Sequence, residues 1–141
     1  MPPLLVQLAS AAALAIAMTL VHGAGVVGIA HWLGLGRERS RLHRLHPRTM
    51  ALLSAVALFL FGLHMVEIAL FACFYFAVGA VADFEQALYF SASAYSTLAQ
   101  PDAAFPPEWR LVGALEGLIG FLMIGWSTAF FVTDMNKLLR S

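Results

Sequence analysis

The chain has 141 residues, of which 61% are hydrophobic and 11% charged, and its formal net charge is zero. Soluble globular domains carry about 25% charged residues, so this composition excludes one and predicts a single-domain, all-α membrane protein. With no basic surface left over, nucleic acid is excluded as a partner, which leaves lipid and further copies of the chain. Cys73 is the single cysteine and lies in an apolar run, so no intrachain disulfide forms and a buried structural thiol is expected.

The first predicted element is an apolar helix, Leu4 to Leu33, inside an N-terminal unit of residues 1–34. Met1 to Gly36 contains no Lys or Arg, so it lacks the basic start of a signal peptide and reads as a retained helix, with Trp32 suited to the lipid interface. Residues 35–49 form a loop in which Arg37, Arg39, Arg41, Arg44 and Arg48 stand against the single acid Glu38. The positive-inside rule makes this loop cytoplasmic and puts the N-terminus outside. His43 and His46, within it, are expected to meet anionic headgroups.

A second spanning helix, residues 50–82, and a third, residues 111–133, both exceed the roughly 20 residues that a bilayer core requires. The tail, residues 134–141, carries Lys137 and Arg140 and falls in the cytoplasm, which predicts a multi-pass protein of the cell (inner) membrane. Between these helices the external segment holds Asp83, Glu85, Asp102 and Glu108 against Arg110 alone, a charge balance suited to attracting cations. Residues 84–98 read as a helix too short and too polar to span, opening behind Asp83 as N-cap with Gln86 in the capping-box position. Such a helix is predicted to dip into the membrane and return, and non-helical backbone at that depth is tolerated only against protein or water. Pro101, Pro106 and Pro107 stop the helix and stiffen the exit.

The run Ala87, Leu88, Tyr89, Phe90, Ser91, then Tyr95, Ser96, Thr97, Leu98, then Asp102, then Pro107 through Glu116 resembles bacterial potassium-channel pore domains. The resemblance covers residues 50–133, in the order outer helix, pore helix, filter and inner helix. Helix one with its arginine loop resembles the additional N-terminal helix of a three-helix subgroup of that family. The resemblance implies a homotetramer with a re-entrant pore helix and a filter loop at residues 97–102.

In that family the filter reads Thr, Thr or Val, a β-branched residue or Leu, Gly, an aromatic, Gly, Asp, and its backbone carbonyls replace the ion's hydration shell. Here Thr97, Leu98 and Asp102 match, while Ala99, Gln100 and Pro101 replace the glycines and the aromatic. Proline locks φ near about −65° and alanine disfavours φ > 0, so the outer carbonyl rings are expected to be misaimed. The expectation is a cation pore that passes K⁺ or Na⁺ with weakened or lost potassium selectivity. Glu116, about two turns into the third helix, is expected to support the filter by accepting hydrogen bonds. Phe130 and Phe131 are candidate gate residues near the cytoplasmic mouth, although aromatic residues in spanning helices more often serve packing.

Titratable side chains in hydrocarbon are costly, which singles out His22, His64 and Glu67. At ~1.5 Å per residue His22 lies ~18 Å and His64 ~21 Å from the cytoplasmic side, so they share a level, and Glu67 follows His64 on one helical face. Such a cluster serves as interhelical hydrogen-bond glue, as a proton-linked switch or as a metal ligand set; glue is the favoured reading, and no metal or resident cofactor is assigned. Two other functions fit the same pattern: a non-conducting scaffold or regulatory subunit with a channel fold, and a b-type haem protein with His22 and His64 as axial ligands. An enzyme is not expected, because no nucleophile elbow, His-Glu-x-x-His or phosphate loop is present, and Gly23, Gly25 and Gly28 lie inside a spanning helix.

Overall fold

The computed structural model describes residues 2–32, 47–98 and 105–140. All regular structure among them is helical: α1 (Leu4–Trp32), α2 (Pro47–Ala77), α3 (Phe84–Tyr95), a 3-10 turn (Pro107–Trp109) and α4 (Arg110–Arg140). Among the described residues three helical stretches, Leu4–Trp32, Pro47–Ala77 and Pro107–Asn136, are long and apolar enough to cross a membrane. By length and composition the chain is a multi-pass membrane protein.

α1 packs against α2 and α4, while α3 sits between α2 and α4 at one end of the bundle. Two apolar cores hold this arrangement. The larger one joins Phe71, Tyr75, Phe90, Tyr95, Phe105 and Val112 around α3; the other joins Val26, Ile29, Val56, Leu60 and Leu63 between α1 and α2. In the larger core Phe105 stacks flat on Phe90, centroids 3.4 Å apart, and Tyr75 meets both rings edge-on at 5.1 and 5.2 Å. That aromatic group ties the segment before α4 to the middle of α3. Large apolar side chains such as Leu20, Phe61 and Phe121 stay exposed on the outside of the bundle, as a surface solvated by lipid or by further protein requires.

The helix ends differ from the sequence expectation for identifiable reasons. α2 begins at Pro47 rather than Met50, since a proline in the first turn gives up only an N–H that has no helical partner. It stops at Ala77 rather than Ala82, because Gly79 takes φ 68° and the chain reverses there: Gly79 N–H donates to Phe76 O (3.1 Å) and Ala80 N–H to Tyr75 O (2.9 Å). α3 starts at Phe84 behind Asp83, whose backbone is extended and whose carboxylate accepts from Glu85 N–H at 3.4 Å. It ends at Tyr95, three residues short of Leu98. α4 runs from Arg110 to Arg140, so the expected tail after Thr133 continues the helix. Residues 33–46, most of the basic loop, lie outside the described residues.

The end of α3 repeats the pattern at the end of α2. Thr97 N–H donates to Ala94 O (3.0 Å) and Leu98 N–H to Ser93 O (3.1 Å), with Thr97 at φ 60° in the position Gly79 fills on α2. A β-branched residue in the left-handed region is strained by about 1–2 kcal/mol. Thr97→Gly should therefore raise the unfolding midpoint of the detergent-solubilised protein, with a gain of about 1 kcal/mol. A lowered midpoint would mean that the threonine side chain contributes more than its backbone strain removes.

Candidate functional site

The site is organised by the C-terminal end of α3. α4 places Gly117 and Gly120 against it, and their backbones touch: a Cβ on Gly120 would fall 2.2 Å from Tyr95 O, and one on Gly117 3.1 Å from Ala94 O. Gly120 lies about 15 Å along α4 from Arg110, and Glu67, to which Tyr95 is bonded, lies about 15 Å along α2 from Ala77. The last carbonyls of α3, the negative end of its dipole, thus stand well inside the bundle, below the ends of both flanking helices. Thr97 and Leu98 follow directly, with Leu98 exposed. Ala99, Gln100, Pro101 and Asp102 lie outside the described residues.

Glu116 fastens α3 to both neighbours. It is fully buried, accepting from the Tyr75 hydroxyl of α2 (2.6 Å) and from the Ser91 hydroxyl of α3 (2.5 Å). Ser91 Oγ also lies 2.8 Å from Ile68 O, so its one proton faces two acceptors and the three helices close around it.

A second buried acid, Glu67 of α2, gathers the two intramembrane histidines. His22 Nδ1 stands 2.8 Å from Glu67 Oε1, and His64 Nδ1 stands 3.0 Å from Oε2. Tyr95, the last residue of α3, donates its hydroxyl to the same Oε2 and sits 2.9 Å from His64 Nδ1. On the far side of His22, Nε2 is 3.3 Å from the Ser127 hydroxyl of α4, and the Trp126 ring flanks the imidazole at 5.1 Å. The imidazole centroids of His22 and His64 are 5.5 Å apart. A haem between them would need the rings to face each other across a macrocycle, whereas both turn Nδ1 to one carboxyl group.

Both acids therefore act on α3: Glu116 holds its middle through Ser91, and Glu67 holds its end through Tyr95. Phe130 and Phe131 pack against the core formed by α1 and α2. Hydroxyls elsewhere in the spans, Thr19, Thr128 and Thr133, bond the carbonyl four residues earlier and need no tertiary partner. Tyr75, Ser91, Tyr95 and Ser127 are site residues that sequence reasoning missed. The signal for the tyrosines is their polar tip, which in an apolar run must find a partner when buried; the serines carry no comparable signal. No family model, curated protein or solved structure matches the chain.

Proposed function

We propose that the chain is a subunit of a homotetrameric cation channel that discriminates weakly between K⁺ and Na⁺. In this reading α2, α3 and α4 are the outer, pore and inner helices of one pore module, and α3 is re-entrant. The observation that carries it is the seating of the α3 C-terminus about 15 Å down α2 and α4, against Gly117 and Gly120. A helix dipole ending at that depth favours a cation beyond it, and the non-helical chain that follows must line water or protein. One chain supplies one such end, so a ring around an ion needs further copies, and four satisfy it by rotational symmetry.

The filter then begins at Thr97 and continues through Leu98, Ala99, Gln100, Pro101 and Asp102. Glu116 supports it indirectly by holding α3 through Ser91. Phe130 and Phe131 are engaged with α1 and α2, so the reading assigns them packing and no gate. The excess of arginine before α2 puts the N-terminus outside and the C-terminus in the cytoplasm of the cell membrane, which makes the α3 end of the bundle external and acidic.

Purified protein in liposomes should pass Na⁺, K⁺ and Rb⁺ at comparable rates, with four chains per particle by chemical cross-linking. Strong preference for K⁺ would overturn the selectivity assigned to Ala99, Gln100 and Pro101. Stable tetramers with no flux for any of the three ions would point to the scaffold function instead.

A further inference from the structure

Side chains from three helices, His22 of α1, His64 of α2 and Tyr95 of α3, converge on the carboxyl group of Glu67. His64 Nδ1, the Tyr95 hydroxyl oxygen and Glu67 Oε2 are all in mutual contact, Nδ1 standing 3.0 Å from the carboxyl oxygen and 2.9 Å from the hydroxyl. One ring proton and one hydroxyl proton must serve three contacts, so lone pairs converge on a common point. His22 Nδ1 approaches from the other side, 2.8 Å from Oε1, and the ligand atoms of His22, His64 and Glu67 all lie within 4.8 Å of one another.

The geometry points to a binding site for a divalent transition-metal ion of the zinc type, with His22 Nδ1, His64 Nδ1 and the Glu67 carboxylate as ligands and the Tyr95 oxygen as fourth donor. Zinc bonds to nitrogen and oxygen are about 2.0–2.2 Å long, so the ligand atoms of a tetrahedral site stand about 3.3–3.5 Å apart. The observed separations of 2.8 and 3.0 Å must widen by about half an ångström, while the longest separation in the set, up to 4.8 Å, must close by about 1.4 Å at most. Two imidazoles with one carboxylate suit zinc, nickel or copper ions and disfavour the hard cations, which prefer all-oxygen sites.

Two further contacts fit a ligand role. The Ser127 hydroxyl, 3.3 Å from His22 Nε2, occupies the place of the outer hydrogen bond that orients a metal-bound imidazole. The His64 side chain is 17% exposed while His22 and Glu67 are sealed, which gives an ion one line of approach. A divalent ion adds two positive charges to a site whose one carboxyl group is Glu67. Occupancy would join α1, α2 and the last residue of α3 through one centre.

The site is read on the purified chain whether or not the chain conducts. Full-length protein carrying His31→Ala, His43→Ala, His46→Ala and Cys73→Ser, which removes the other histidines and the cysteine, is treated with chelator in detergent and titrated with Co²⁺. The expected result is one Co²⁺ per chain with the visible absorption of a four-coordinate centre, displaced by Zn²⁺ and accompanied by a higher unfolding midpoint. His64→Ala and Glu67→Gln on that background should each weaken binding by at least ~10-fold. Tyr95→Phe, which keeps the ring and its packing, should alter the spectrum, and it stands as the test if the other variants lose helicity by circular dichroism. Absence of saturable Co²⁺ binding to the background protein, as a cluster holding protons alone would give, overturns the site. So does binding that survives His64→Ala and Glu67→Gln unchanged, or a spectrum that ignores Tyr95→Phe.

Discussion

Gly120→Ala should lower the unfolding midpoint of the purified protein sharply, whereas Gly125→Ala, one and a half turns further along the same helix, should leave it unchanged or raise it. The added methyl at Gly120 would stand 2.2 Å from the Tyr95 carbonyl oxygen and 2.9 Å from its carbonyl carbon, so backbone meets backbone and no side chain can swing aside. Nothing lies within 4 Å of the corresponding position at Gly125. Ala is favoured over Gly in a helix by about 1 kcal/mol, which is the whole expected effect at Gly125. At Gly120 this gain is outweighed by overpacking of about 1–3 kcal/mol or more, together with displacement of the Tyr95 hydroxyl from Glu67. Gly117→Ala, at 3.1 Å from Ala94 O, should fall between the two. Thermal unfolding followed by circular dichroism distinguishes the three variants, and equal midpoints for Gly120→Ala and Gly125→Ala would mean that α3 is not seated on α4.

The second large effect is expected at Glu116. Glu116→Ala leaves the buried hydroxyls of Tyr75 and Ser91 without this acceptor and opens a cavity between α2, α3 and α4. Ser91 keeps Ile68 O as its acceptor, so the Tyr75 hydroxyl alone is left unsatisfied, at about 1–3 kcal/mol, and the total loss is on the order of 3 kcal/mol once the cavity is included. Glu116→Gln keeps shape and connectivity: its carbonyl accepts from Tyr75, its amide donates to Ser91, and Ser91 donates to Ile68 O. The Gln variant should therefore stay within about 1 kcal/mol of the parent. A double-mutant cycle with Tyr75→Phe should return a coupling of about 1–2 kcal/mol. Equal destabilisation by Gln and Ala would show that charge, rather than hydrogen-bond geometry, is what the site needs.

The spanning helices were legible in the sequence because bilayer thickness demands long apolar runs, and little else satisfies that demand. Their ends were less so. Gly79 is an ordinary helix stop, but it lies inside a longer apolar run that masks it. Thr97 is a stop that no propensity reveals, since threonine rarely takes the left-handed position it occupies here. Depth counting along two antiparallel helices set His22 and His64 at one level, and their rings stand 5.5 Å apart. What depth counting could not supply was rotation about each helix axis. Tyr95 joins that cluster only because α3 turns one face to α2 and sinks against Gly117 and Gly120, a tertiary fact with no periodic trace in twelve residues of helix.

The chain leaves the ribosome from its N-terminus, and the buried acids fit that order. Glu67 is made 45 residues after His22, and Glu116 is made 41 residues after Tyr75 and 25 after Ser91. Each carboxyl group is thus synthesised after at least one of its partners, and an unpaired acid in hydrocarbon is costly. The last two helices complete what the first two begin, Tyr95 arriving 28 residues after Glu67 and Ser127 105 residues after His22. On this account α1 carries the earliest-made partner of the Glu67 carboxyl group, and a chain shortened to α2, α3 and α4 would enter the membrane without it.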